Sequence, residues 1–222
     1  MKVLILGASS GLGAALTLSY LNNGHSVVAT GRRISRIEKL IPAGANATLV
    51  KNDLLQPNSV SEIATEHCDV DLVYHCAAVV DPAPISDMMK VNFESFVQLV
   101  GAFDRVERKI VAVSSLAAVV PFEHLPSYCA TKAALEAWIA SRRSQCRSEI
   151  VIVRPGPFDS ELFKKANTIQ RSQLPIDLAE NIINAVSQGR SDIFLGGWRD
   201  RLTACLAPII GGARSRKLVL GS

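Results

Sequence analysis

Short continuous apolar runs, each followed by a longer segment with apolar residues at helical spacing, repeat along almost the whole chain. Residues 3–6 form such a run, closed by Gly7, with the character of a strand buried on both faces of a parallel sheet. Residues 12–23 are apolar at helical spacing and stop at Asn22, Asn23 and Gly24, a good C-terminal signal. A second strand follows at 26–30. The alternation then predicts strands at 47–51, 71–75, 109–114, 150–154 and 192–195, with helices at 59–66, 86–103, 127–146 and 176–188 between them. Strands alternating with helices imply right-handed crossovers and an α/β fold, a doubly wound parallel sheet of about seven strands with helices on both faces. A ligand of such a sheet lies beyond the carboxyl ends of its strands. Those ends carry Gly7, Gly31, Asn52, Asp53, Cys76, Ala77, Ala78, Ser114, Ser115, Arg154, Pro155 and Gly156, which holds nearly every unusual residue of the chain.

Length and composition narrow the class. The 222 residues fit one domain with a core large enough to need no metal or disulfide staples. Hydrophobic residues at 48% and charged residues at 20% predict that the whole of 1–222 folds. A net charge of +4, spread along the chain, suits an anionic small molecule, and motifs for nucleic acid are absent. Five widely separated cysteines, with no Cys-x-x-Cys pair and no histidine at metal spacing, read as reduced thiols in a cytoplasm and predict no metal site. Lys2 running straight into the first strand leaves no room for a signal peptide, and no apolar run approaches the roughly 20 residues that span a bilayer.

Candidate chemistry begins at the first turn. Gly7, Gly11 and Gly13 stand where a tight bend, close backbone approach and close helix packing each require a missing side chain. Free amides at the helix start then face a pyrophosphate; an ordinary turn carries glycines too. After the second strand come Arg32 and Arg33, where an acidic residue would hold the ribose hydroxyls of NAD and an arginine suits a 2′-phosphate. NADP(H) is therefore preferred, with NAD(H) possible. Asp53 has the chemistry to accept from an adenine amino group, and equally that of a solvated helix cap.

Tyr128 and Lys132 lie four residues apart, on one face of a helix, downstream of Ser115. A free phenol, with a pKa of about 10, is too weak a base at neutral pH and needs a nearby cation. One charge at about 4 Å in an effective dielectric of about 20 is worth on the order of 4 kcal/mol, roughly three pKa units before desolvation. A surface pair at this spacing is also common by chance.

Gly7, Gly11, Gly13, then Asn52-Asp53-Leu54, Asn92, Ser114-Ser115, Tyr128 with Lys132, and Arg154-Pro155-Gly156, in this order and with 13 residues from Ser115 to Tyr128, resemble the short-chain dehydrogenase/reductase family over residues 1–195. The resemblance implies a compact single-domain Rossmann fold. It makes Tyr128 the general acid for carbonyl reduction and the base for alcohol oxidation, with Ser115 holding the substrate oxygen. Lys132 would also bind the nicotinamide ribose, and Asn92 would support a water-linked proton relay. The implied cofactor contacts are Gly7, Ser9, Ser10, Gly11, Leu12, Gly13, Arg32, Arg33, Asp53, Leu54, Ala77, Ala78, Tyr128, Lys132, Pro155, Gly156 and Ser160. A homodimer or homotetramer through the helix bearing Tyr128 is implied as well.

Two departures stand out. The family's usual Asn-Asn-Ala-Gly after the fourth strand is here His75-Cys76-Ala77-Ala78, so an asparagine that braces the sheet is missing. His75 reads as a strand-end side chain rather than a base. The stretch from Ala78 to Asn92 is also short, which trims the site's rim. Residues 157–175 form the expected substrate lid, with Phe158, Leu162, Phe163 and Ile169 suited either to a hydrophobic carbonyl compound or to packing. In the tail, 198–222, an apolar patch at 202–210 is flanked by arginines, but Pro208, Gly211 and Gly212 interrupt a long amphipathic helix. A packed tail or subunit contact is therefore expected rather than a membrane.

The leading function is an NADP(H)-dependent oxidoreductase interconverting a small-molecule carbonyl compound and an alcohol. A non-catalytic NADP(H)-binding regulatory protein is the alternative, and a sugar-nucleotide epimerase or dehydratase a third; about 27 residues after Leu195 are too few for the substrate domain of the last.

Overall fold

The computed structural model describes residues 1–156, 175–210 and 218. Seven strands, β1 (Lys2–Leu6), β2 (Ser26–Gly31), β3 (Ala47–Lys51), β4 (Leu72–His75), β5 (Lys109–Val113), β6 (Glu149–Pro155) and β7 (Asp192–Leu195), form one sheet in the order β3-β2-β1-β4-β5-β6-β7. Every neighbouring pair is parallel. The chain runs outward from β1 to β3 and then returns to place β4 on the other side of β1. That reversal opens a crevice between β1 and β4 at their carboxyl ends.

Period-two alternation along the strands sorts side chains to two cores. Val3, Ile5, Val27, Ala29, Tyr74, Val111 and Val151 face helices α1 (Gly11–Asn22) and α7 (Pro175–Ser187), with Ile37 of the short α2 (Ile34–Glu38). Leu4, Leu6, Val28, Val73, Ile110 and Ile152 face the other way, against α3 (Ser59–Glu66), α5 (Ser95–Phe103) and α6 (Pro126–Arg142). Both faces of the sheet are thus covered, which is why its strands read as unbroken apolar runs. Pro126 opens α6, where its missing N–H has no intrahelical partner to lose.

The structure departs from the expected elements in several places. The helix expected at 86–103 is split into α4 (Ile85–Met89), a π-helical turn (Lys90–Glu94) and α5. Helix α2 is five residues long, too short for periodicity to show. The tail forms a helix, α8 (Trp198–Ile210), that runs through Pro208 at the loss of one backbone hydrogen bond. Of the lid expected at 157–175, only Pro175, which opens α7, is described; the rest of it, Ser160 included, and the end of the tail lie outside the described residues. Among the described residues no helix is long and apolar enough to cross a membrane.

Candidate active site

At the turn after β1, the Gly7 and Ala8 amides both donate to the Thr30 carbonyl at 3.1 and 2.9 Å, which pins the turn to β2. Gly7 has φ +86°, and a Cβ there would sit 2.6 Å from the backbone nitrogen of Ala77. A Cβ on Gly13 would be driven into the Gly7 carbonyl. Strand end, helix start and the segment after β4 therefore meet backbone to backbone. Ser10, the N-cap of α1, makes no side-chain cap, and the first turn holds no acidic residue. The positive end of α1 is thus left open toward the crevice.

A cleft of about 610 Å³ starts at this turn and follows the carboxyl edge of the sheet. Gly7, Ser9, Ser10, Gly11, Leu12 and Gly13 line one end of it, and Arg32, Arg33, Asp53 and Leu54 border them. Arg33 Nη2 donates to Ser10 Oγ at 3.4 Å, bringing a cation to the mouth of α1. Asp53 caps a turn, not a helix: its Oδ1 accepts from the Leu55 amide at 3.1 Å, while α3 begins only at Ser59. Ala77, Ala78, Ser115, Tyr128, Lys132, Pro155 and Gly156 line the remainder.

Ser115 follows β5, and its Oγ accepts from the Ala117 amide at 3.2 Å as it caps a 3₁₀ turn (Leu116–Ala118). That fixes the hydroxyl next to Tyr128, to which it is hydrogen-bonded. Lys132, one turn further along α6, is 2% exposed and donates from Nζ to the Val113 carbonyl at 2.7 Å. Its Nζ lies 5.7 Å from the centre of the Tyr128 ring. Burial lowers the lysine pKa to about 8, opposed by Cys76 and Glu136. Cys76 in turn is pushed up to about 12 by burial, opposed by Lys132.

Helical spacing supplies the expected cation beside Tyr128, and the desolvation that opposes it decides the direction. Burial holds Tyr128 well above the usual phenol range, opposed by the Ser115 hydrogen bond. Desolvation of the anion outweighs that hydrogen bond, so the side chain is kept as a proton donor.

Asn92 stands behind the cleft rather than in it, and is fully buried. Its Oδ1 accepts from the Val79 amide and its Nδ2 donates to the Val79 carbonyl, both at 2.7 Å. Nδ2 also donates to Thr131 Oγ1 at 3.0 Å, and Thr131 Oγ1 donates to the Tyr128 carbonyl at 2.8 Å. The π-helical turn thus clamps the segment after β4 to the helix bearing Tyr128. His75 is buried as expected of a strand-end residue. Ser95 Oγ donates to the Val91 carbonyl at 2.8 Å, so it accepts from His75 Nε2 at 2.7 Å. A pKa lowered to about 3 by burial, with Lys132 adding to the effect, keeps this imidazole neutral. It braces the helix side of the sheet where an asparagine was expected.

One group was missed by the sequence reading. Glu136 follows Lys132 by one further turn of α6; it accepts from Ser114 Oγ at 2.5 Å and from Arg154 Nε and Nη2 at 2.8 Å. Arg154 Nη1 also reaches Asp192 at 3.4 Å, which pairs with Arg143 at 2.6 Å. The network ties α6 to β5, β6 and β7. Its signal was the i+4 spacing from Lys132. Glu136→Ala leaves the half-buried Arg154 guanidinium short of its main partner, so urea unfolding should show a loss of about 2–4 kcal/mol. A loss below about 0.5 kcal/mol would mean that the network is solvated.

Comparison with known proteins adds the following. The profile of the short chain dehydrogenase family matches residues 1–171. The chain is similar to the NADPH-dependent 1-acyldihydroxyacetone phosphate reductase of Schizosaccharomyces pombe, 34% identical over 154 residues. That alignment covers 61% of this chain and only about half, 51%, of the yeast protein. An NADP-dependent 3-hydroxy acid dehydrogenase of Escherichia coli O157:H7 is 27% identical over 172 residues, 69% of each chain. Among solved structures, a short chain dehydrogenase from Burkholderia cenocepacia in complex with NADP superimposes with a TM-score of 0.85 at 22% identity, covering 98% of this chain and 97% of that one.

Proposed function

This chain belongs to the short-chain dehydrogenase family, and we propose on that premise that it is an NADP(H)-dependent oxidoreductase interconverting a carbonyl compound and an alcohol. The observation that carries the proposal is that a glycine turn that admits no Cβ opens, within one cleft, onto the Ser115, Tyr128 and Lys132 side chains. The residues present fit the cofactor. The open start of α1 suits a pyrophosphate, and Arg32, Arg33 and Ser10 suit a 2′-phosphate, with no carboxylate at the end of β2. Pro155, Gly156 and Lys132 would border the nicotinamide end. NADP(H), when bound, supplies or accepts the hydride.

The chain's own residues handle the proton. Ser115 would hold the substrate oxygen against the Tyr128 hydroxyl, whose proton passes to that oxygen in reduction and returns in oxidation. Lys132 keeps a positive charge within reach of the phenol and limits the cost of its transient anion. Asn92 positions rather than reacts. Its clamp on Val79 and Thr131 holds the cleft wall against the catalytic helix. Val79, Leu116, Ala117, Phe122 and Leu125 make the substrate side of the cleft apolar, which favours a hydrophobic carbonyl compound. All five cysteines are free, in keeping with a reducing cytoplasm. The same reading includes a dimer or tetramer through α6, to be checked by sedimentation; a monomer at every concentration would remove that part. No observation favours the non-catalytic alternative.

Two measurements test the reading. In fluorescence titrations, Arg32→Ala and Arg33→Ala should each weaken NADPH binding about tenfold and leave NADH unchanged, since each removes one charge-assisted contact to a phosphate. Equal losses for both nucleotides would assign the arginines elsewhere. In carbonyl reduction, kcat/KM should fall as pH rises through about 8, because Lys132 loses its charge there rather than near its ordinary 10.5. A rate flat to about pH 10 would remove Lys132 from that role.

A further inference from the structure

Helix α8 is amphipathic in an inverted sense. On its packed side Thr203 and Ala207 are buried, and Ala204 and Ala207 join a cluster with Leu116, Val120 and Phe194. At about 100° per residue, the opposite side gathers Trp198, Leu202, Cys205 and Ile209, spaced i, i+4, i+7 and i+11. This apolar stripe points to solvent: Trp198 is 70%, Leu202 43% and Ile209 77% exposed, and Cys205 is exposed too.

The borders of the stripe are cationic. Arg199 lies on one side and Arg201 on the other, both exposed. The Arg199 guanidinium stands 5.3 Å over the Trp198 ring and that of Arg201 6.0 Å over Phe194. Asp200, the acidic residue of the first turn, is directed away from the stripe and accepts from the Gly197 amide at 2.9 Å. The sequence beyond the helix continues with Arg214, Arg216 and Lys217.

We propose that α8 docks this face on an anionic lipid surface, with Trp198, Leu202 and Ile209 entering the headgroup boundary and Arg199 and Arg201 meeting lipid phosphates. Tryptophan at the edge of an apolar stripe with arginines beside it matches the polarity gradient of that boundary. A second copy of the chain fits poorly. Across a two-fold axis the arginine borders would face one another with no carboxylate between them, and a stripe one side chain wide is far smaller than the roughly 800 Å² per partner of a stable interface. The packed side of α8 rests on Leu116 and Phe122, which line the cleft. Docking would therefore bring the apolar end of the cleft close to a reservoir of apolar molecules. The sequence had set the tail aside because of Pro208; a helix continuing to Ile210 is what assembles the stripe.

The test uses the full chain without cofactor, mixed with vesicles of phosphatidylcholine alone or with added phosphatidylserine, and then pelleted. The protein should pellet with the anionic vesicles, stay in solution with the neutral ones, and be released by salt. Trp198 emission should shift to the blue on binding, and Trp198→Phe should abolish the shift. Arg199→Gln with Arg201→Gln should lower the partition coefficient about twenty-five-fold, at about fivefold per charge. Leu202→Ser should lower it about tenfold. None of these residues lines the cleft, so NADPH binding by the variants should be unchanged, which separates failure of docking from failure of the oxidoreductase reading. Folded protein that ignores anionic vesicles, or that binds neutral ones equally, overturns the proposal. So does a concentration-dependent dimer that Leu202→Ser dissolves, which would assign the stripe to a second copy.

Discussion

Tyr128→Phe should lower the rate of carbonyl reduction about a thousandfold while the protein still folds and still binds NADPH. The phenol is fully buried, faces the cleft, is hydrogen-bonded to Ser115 and is held protonated by its surroundings, so in the proposed reaction its hydroxyl would be the acid. A positioned acid contributes about 10²- to 10⁴-fold, and water cannot replace it in a wall whose neighbours include Ala117, Leu125 and Cys129. The ring of phenylalanine fills the same volume. Stability should therefore change by no more than about 1 kcal/mol, the value of one buried hydrogen bond. The loss should fall on kcat rather than KM, because the hydroxyl acts on the proton as it moves. The assay is nicotinamide oxidation with the carbonyl compound that the native protein turns over fastest. A variant retaining more than about a tenth of the rate would require another acid. Ser115→Ala in parallel should lose about a hundredfold, since in the proposed reaction Ser115 would align the oxygen without supplying the proton.

Gly7→Ala should nearly abolish NADPH binding and cost about 3–4 kcal/mol of stability. A side chain at φ +86° is strained before any contact is considered. The added Cβ would also meet Ala77 N at 2.6 Å, Ala77 Cα at 2.7 Å and the Cys76 carbonyl carbon at 3.0 Å. All are backbone atoms at the end of β4, so no side chain can swing aside. Either β1 and β4 part or the turn unwinds, and both outcomes displace the open start of α1. For a chain of this size the melting temperature should fall by about 10 °C, at about 2–4 °C per kcal/mol. Nucleotide affinity should fall at least a hundredfold, through loss of geometry rather than of any contacting atom. Gly101→Ala is the control. That glycine lies within α5 with nothing within 4 Å of an added Cβ, so alanine there should leave binding intact and raise helix stability by about 0.5–1 kcal/mol. Equal behaviour of the two variants would mean that the turn tolerates a side chain.

Most of the architecture was legible because the signals that carry it are local. A strand buried on both faces must be apolar at every position, as 3–6 and 150–153 are, and the helices between the strands announce themselves by period and stop signals. Once the parallel order followed, the strand ends pointed to the cleft that the structure forms: the glycines after β1, the arginines after β2 and Ser115 after β5 all line it. Tyr128 and Lys132 needed only the helix period. Four features were illegible for one shared reason. The π-helical turn at Lys90–Glu94 carries Asn92, which reaches Val79, 13 residues upstream, and Thr131, 39 residues downstream. The acidity of Tyr128 depends on how completely its neighbours exclude water, which the helical spacing of the lysine does not carry. Glu136 went unread, because only Arg154 closing on it from β6 gives it a role. The stripe on α8 looked like a broken tail, and its outward direction was set by which side found Leu116 and Val120. Spacing propagates along a single element and can be read from residues in order. Desolvation, partnership and exposure depend on which other elements pack against that one, and folding alone settles them.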